Sequence, residues 1–450
     1  MNRLLNRADE KLRAALLAPL PRVIGLLLDA VVIACFALLM LMKNLVQLSG
    51  AALSARLACV LMLCVPLALM LRFARQAGES RRMGLMGHAL LAAVCAAAML
   101  ARVSFIEHVS GDYEIYLANW MDKFRAVSFR EGMRQNIGEY NVLYQYILFL
   151  ITRLPVPALY AVKTASFVGD ALLSGACARL AGQGKRQNAV ALCAALLLPV
   201  SVLNGGMFAQ CDGLYAACAL WGLAFSLEGK PTAGAICFAL SLAFKLQAMF
   251  ILPVVAVLWS ARKLRLADAL TFLLTLAATA LPALLGGKSV GQILSIYIGQ
   301  TGLYNGLTYN APGFFGLMNT NGLDVYAYGN FGMMLALGAV CALLAHAMPR
   351  AEKMDRTDWV RTSLLMVLLC VFLLPRMHER YFYLADVLAV VLACRDKRYT
   401  ASAALIALAS VSRLWDMGVA LNAASMMMLA AIALVLGQAN EACEKKSTCV

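Results

Sequence analysis

Short polar clusters interrupt an otherwise apolar chain, and several carry groups able to do chemistry. The first is Ser110-Gly111-Asp112-Tyr113-Glu114, continuing through Asn119, Trp120 and Asp122 to Tyr140-Asn141-Val142-Leu143-Tyr144. A carboxylate placed where an apolar helix meets water is partly desolvated yet still reachable. That raises its basicity and suits Asp112 to taking a proton from an acceptor hydroxyl. Asp112 and Glu114 equally fit a plainer role, solvating a loop or capping the next helix. The second cluster is Pro375-Arg376-Met377-His378-Glu379-Arg380-Tyr381. Two guanidiniums and an imidazole this close make a pocket for phosphate, whose oxygens match the forked donors of Arg. A pair of anchors meeting lipid headgroups is the competing reading. Gln210-Cys211-Asp212-Gly213-Leu214-Tyr215 and Phe244-Lys245-Leu246-Gln247 put further charges beside apolar runs, where ionisable groups are functional suspects. Lys163 and Asp170 share one helix face and are expected to pair. His88 and His346 read as structural, His108 is a minor candidate beside Asp112, and Asp29 has no assignable partner.

The elements that must position these residues are membrane helices. Of 450 residues, 62% are hydrophobic and 14% charged. A soluble chain has about 25% charged residues, so soluble, disordered and collagen-like classes are excluded. Long unbroken apolar runs require helices of about 20 residues, and a porin-type barrel would alternate instead. The net charge of +15 sits in short clusters between apolar runs, which orient spans and meet anionic lipid. Nucleic acid is therefore not an expected partner. The fourteen Cys form no C-x-x-C pair and lie mostly in apolar runs, reading as small buried hydrophobes. Residues 1–22 read as an amphipathic cytoplasmic lead-in with no signal-peptide cleavage site.

Placing Lys185/Arg186, Arg262/Lys263/Arg265, Arg350/Lys353/Arg356 and Arg395/Lys397/Arg398 in the cytoplasm satisfies the positive-inside rule. Two consequences follow. Val142–Arg153 must lie at the outer interface, and residues 232–260 must cross twice, turning near Lys245-Leu246-Gln247. The expectation is an all-α polytopic bundle of about 14 spans with both termini inside. It divides into 1–105 (lead-in and three spans), 106–156 (outer catalytic loop), 157–285 (membrane module), 286–330 (second outer loop) and 331–450 (C-terminal membrane module). No internal repeat is evident.

Taken together, these motifs resemble those of a known superfamily. Gly111-Asp112-Tyr113-Glu114 with Trp120 and the Tyr-rich segment is similar to the first luminal loop of the Alg6/Alg8 glucosyltransferases. It is equally similar to that of the bacterial Gpi18-like mannosyltransferases, both of the GT-C type. Val162-Lys163-Thr164 with Gly169-Asp170, Gln210-Cys211-Asp212-Gly213, Phe244-Lys245-Leu246-Gln247 and His378-Glu379-Arg380 follow in the superfamily's order. Phe208-Ala209 stands where the superfamily has Trp-Gly, and Asn310-Ala311-Pro312 lacks the Trp often found after the Asn.

The resemblance implies hexose transfer, glucose or mannose, from a polyprenyl-phosphate sugar to a lipid-linked or membrane-proximal glycan acceptor. The reaction would be inverting, on the extracytoplasmic face of a membrane such as the bacterial inner membrane. Asp112 would be the base and Glu114 its helper. His378, Arg380, Arg376 and Lys245 would hold the donor phosphate, apart from Asp112. Trp120, Tyr144, Gln210, Asp212, Gln247, Glu379 and Asn310 would contact substrate. No cofactor is expected, and a divalent metal stays open. A flippase or transporter would instead put paired charges at the bilayer midplane, and a glycan polymerase would need a lipid-diphosphate donor.

Overall fold

A computed structural model describes residues 21–79, 83–182, 184–302 and 305–447. The lead-in expected over residues 1–22 falls almost wholly outside them, as do Arg81 and Arg82. The chain is nearly all helical. Three helices open it: α1 (Arg22–Met42), α2 (Leu53–Glu79) and α3 (Leu85–Val103). The segment after α3 holds a π-helical turn (Tyr113–Leu117) running into α4 (Ala118–Ala126), then α5 (Phe129–Arg134) and α6 (Val142–Ile151). The middle of the chain is α7 (Ala158–Ala181), α8 (Lys185–Leu197), α9 (Pro199–Gly206), α10 (Asp212–Leu227), α11 (Pro231–Phe244), α12 (Pro253–Ser260) and α13 (Leu266–Leu285). After α14 (Val290–Gly302) and the strand β1 (Thr308–Tyr309) come α15 (Val325–Ala347) and α16 (Arg356–Leu373). The strand β2 (Met377–His378) leads into α17 (Tyr383–Arg395), α18 (Thr400–Leu414) and α19 (Leu421–Ser447).

Among the described residues, six helices are long and apolar enough to cross a membrane, or seven if the bent pair α8–α9 counts as one span. The expected number near fourteen is not reached by this measure. The reason is that the central helices are short or polar and are buried by their neighbours. In α7, Lys163, Asp170 and most of the other side chains are inaccessible. The bend of 45° between α8 and α9 falls at Leu198, which precedes Pro199 and has ψ 121°. Proline excludes the helical region for the residue before it, so the sequence itself breaks this span.

The expected hairpin over 232–260 is present as α11 and α12, separated by a 3₁₀ turn over Leu246–Phe250. Thr232 at the start of α11 donates to Asp268 at the start of α13 at 3.1 Å. The chain therefore returns by residue 268 to the end it left at residue 232. Lys245 lies at the opposite end, against Asp212 at the start of α10. The α6 helix, at 10 residues and about 15 Å, is too short to cross a bilayer core.

These contacts sort the molecule into two ends. One carries Asp112, Asp212, Lys245 and Arg380, which meet in pairs. The other carries basic clusters: Arg395 donates to the carbonyls of Leu180 and Ala181, Arg356 to that of Arg179, and Arg262 pairs with Glu352.

Candidate active site

The polar end encloses a cavity of about 520 Å³. Asp112 reaches it from the turn that follows α3, and Arg380 from the turn that leads into α17. Arg380 Nη1 donates to Asp112 Oδ2 at 2.6 Å, and Gln210 Nε2 donates to the same oxygen at 2.9 Å. Gln210 Oε1 in turn accepts from the Tyr140 hydroxyl at 2.9 Å. The base and the phosphate cluster of the sequence reading, expected apart, are thus in direct contact across 268 residues of chain.

Lys245 forms the second charged pair. Its Nζ lies 2.6 Å from Asp212 Oδ1, and Asn204 donates to the other carboxylate oxygen at 3.0 Å. Asp212 is fully buried at the first turn of α10, where exposed backbone N–H groups favour an anion. It supports Lys245 from beneath and does not line the cavity. Close packing permits this: a Cβ on Gly213 would stand 2.6 Å from Asp170 Oδ1 and 3.0 Å from its backbone nitrogen. Only glycine lets α10 approach α7 this closely.

His378 is held by a device too small to leave a sequence pattern. Strands β1 and β2 pair in parallel, Tyr309 opposite His378, and the two rings stack at 4.9 Å. Burial lowers the His378 pKa to about 3, with the positive charges of Arg380 and Lys245 acting the same way. At neutral pH its imidazole is therefore uncharged, not the cation the sequence suggested. Asn310 extends this ladder as a bridge to His378 and binds Arg413 through its side chain, so it braces the wall from outside the cavity lining. Glu379 is not in the lining either; burial raises its pKa, opposed mainly by Arg380.

Of the remaining expected residues, Trp120, Gln247 and Arg376 line the cavity. Tyr144 does not: it is buried behind Tyr140, ring centroids 5.0 Å apart. Glu114 is exposed and outside the lining, because two residues of helical turn carry it to roughly the opposite side from Asp112. Sequence reasoning missed Glu139 and Gln300, which share the wall with Trp120, and no sequence signal marked them. It also missed the apolar part of the lining, which includes Met249, Phe250, Val325, Met333 and Leu374. Trp120 is seated against Gly138, where a Cβ would come within 2.8 Å of the indole.

The expected pair between Lys163 and Asp170 does not form. Seven residues of helix separate them by about 10.5 Å. Lys163 instead donates to the carbonyls of Phe105 and His108, at 2.6 Å and 2.5 Å, fixing the segment that leads to Asp112. Asp170 pairs with fully buried Arg102 at 2.8 Å and accepts from Tyr383 at 3.0 Å. Asp29, unassigned from sequence, meets His88 and Arg75 at 3.0 Å and 3.1 Å. Among the described residues no group of three or more His, Cys, Asp or Glu side chains could hold a metal ion.

Residues 140–261 match a family described as alpha-(1->6)-mannopyranosyltransferase, N-terminal domain. That stretch includes Gln210, Asp212, Lys245 and Gln247. No curated protein matches the chain. Among solved structures, ArnT from Cupriavidus metallidurans bound to undecaprenyl phosphate is similar, with 13% sequence identity and a TM-score of 0.50. The similarity covers 77% of this chain and 76% of that one. The fold expectation of an all-helical bundle is met: the chain shares the fold of ArnT, and its central stretch is similar to α-(1→6)-mannopyranosyltransferases.

Proposed function

We propose that the protein is a membrane mannosyltransferase that moves mannose from a polyprenyl-phosphate donor to an acceptor hydroxyl. The observation that carries this reading is the cavity itself, where a carboxylate, three cationic side chains and an apolar stretch of lining converge. That apolar lining takes the isoprenoid next to the phosphate. Arg380, Lys245 and Arg376 hold the phosphate, with neutral His378 adding a hydrogen bond. Trp120, Glu139 and Gln300 offer an aromatic face and polar groups to the acceptor side. The matched family and the undecaprenyl phosphate bound by ArnT both support the donor class.

In the reaction, Asp112 takes the proton of the acceptor hydroxyl as its oxygen bonds to the anomeric carbon. The bond from that carbon to the phosphate oxygen breaks, its electrons leaving with the phosphate monoester. One displacement inverts the anomeric centre. The charge gathering on the phosphate is stabilised by preorganised cations, the kind of contribution that usually dominates catalysis. Because these cations meet that charge, the reading assigns no metal or other cofactor.

The cavity end would face the extracytoplasmic side and the basic end the cytoplasm, as positive-inside requires. The test is purified protein in nanodiscs given a membrane glycolipid extract as acceptor and polyprenyl-phosphate mannose, polyprenyl-phosphate glucose or a nucleotide-linked mannose as donor, with and without chelator. Release of free polyprenyl phosphate from the mannose donor alone, indifferent to chelator, is the expected result. Donor left uncleaved in the nanodiscs but translocated intact by the same protein in sealed proteoliposomes would overturn the reading.

A further inference from the structure

We infer that Arg380 serves two anions in turn, holding Asp112 in the empty cavity and releasing it to the acceptor only when the donor phosphate binds. Gln210 is the positioning residue that keeps Asp112 in place during the exchange. The inference rests on the mannosyl-transfer reading of the same cavity.

The contact of 2.6 Å makes Arg380 the first partner of Asp112 Oδ2. A carboxylate in such a pair surrenders a charge-assisted bond when it accepts a proton, so the pair restrains its use as a base. A guanidinium offers five N–H donors. Here Nε is buried and has no hydrogen-bond partner among the described residues. A buried charged donor left without a partner is costly, and the ligand that satisfies it gains accordingly. The donor phosphodiester is that ligand: like a carboxylate it spreads one negative charge over two oxygens, and it accepts a forked pair of N–H bonds that takes in Nε as well.

Asp112 would drift once Arg380 turned away, were it not for its second partner. Gln210 Nε2 stays on Oδ2 at 2.9 Å, and its amide is held by the Tyr140 hydroxyl at the other end. Tyr140 is itself packed between Trp120 and Tyr144, with centroids 5.6 Å and 5.0 Å away. The relay from Tyr140 through Gln210 to Asp112 thus survives the departure of Arg380. Binding becomes ordered. An acceptor or a water molecule entering an empty cavity meets a carboxylate whose Oδ2 carries both Arg380 and Gln210 and whose charge the guanidinium already balances, so the donor comes first.

The test reads the accessibility of the carboxylate, which does not depend on sugar transfer. Full-length protein in nanodiscs is treated with a carbodiimide and an amine, and amide formation at Asp112 is followed by mass spectrometry, with and without polyprenyl phosphate. Modification is expected to rise severalfold with the lipid. In Arg380→Ala, or in Arg380→Gln should the first fail to fold, it is expected to be high already and unmoved by lipid. Modification of the native protein that stays level or falls when the lipid is added would overturn the inference. Gln210→Leu should lower kcat about tenfold or more, as loss of a hydrogen bond to a charged group does, with donor KM within about twofold. A rise in donor KM with unchanged kcat would remove the positioning role. Protein that unmasks Asp112 on lipid but transfers no mannose would overturn the mannose reading alone. Transfer with Asp112 modification indifferent to lipid would overturn the ordering alone.

Discussion

At the scale of the residue, Asp112 decides between chemistry and loop structure. Asp112→Asn keeps the shape and removes the proton acceptor, so turnover should fall by about 10²–10⁴. A residue that only caps or solvates would tolerate the change, since Asn caps as well as Asp. The ion pair adds an outcome that the sequence did not suggest. Freed of its carboxylate partner, Arg380 should hold polyprenyl phosphate more tightly in Asp112→Asn, measured by calorimetric titration of the lipid. His378 gives a pH signature. Its pKa falls from the ordinary 6.5 to about 3 in the folded protein, so between those values only the unfolded chain takes up the proton. Stability is then full above about pH 6.5 and is lost as pH falls toward 3. His378→Asn should flatten this acid-side loss, read from melting temperatures at neutral pH and at pH near 5. Asp112, Arg380 and His378 were legible as residue types at the ends of apolar runs. The contact of Arg380 with Asp112 was not, because it joins loops 268 residues apart.

At the scale of the element, the packing of α7 against α10 carries the buried half of the site. A Cβ on Gly213 would strike the Asp170 backbone nitrogen at 3.0 Å as well as its carboxylate, and backbone cannot swing aside. Gly213→Ala should cost about 1–3 kcal/mol of stability through forced separation of the helices. It should also disturb Lys245, whose partner Asp212 is the neighbouring residue. Thermal unfolding together with donor KM checks both effects. Apolar runs announced nearly every membrane helix here, but the bend at Pro199 went unread although a proline accounts for it. The π-helical turn at Tyr113–Leu117 and the two-residue ladder of β1 and β2 had no such herald. Both are too short for a hydrophobic period to repeat within them.

At the scale of the whole molecule, the separation of a basic end from a cavity end is the property most open to direct test. With the native cysteines replaced, single cysteines at Arg398 and Tyr326 should react with impermeant reagent from opposite sides of sealed vesicles. Labelling of both from one side would contradict the orientation. The bundle class was legible from composition because 62% apolar residues leave no other fold. The number of crossings was not, since buried helices need not be apolar or long enough to meet lipid. The cavity wall built from the start of α15 has one further consequence. Val325, Gly329 and Met333 belong to the cavity's apolar lining while Tyr326, on the same helix, is 77% exposed. A donor whose tail lies against that lining reaches it by sliding within the leaflet, and its effective concentration is a surface density. Diluting a fixed amount of donor with inert phospholipid at constant volume should slow the enzyme in proportion to the donor's mole fraction, whereas diluting the same vesicles with buffer should leave turnover per enzyme unchanged.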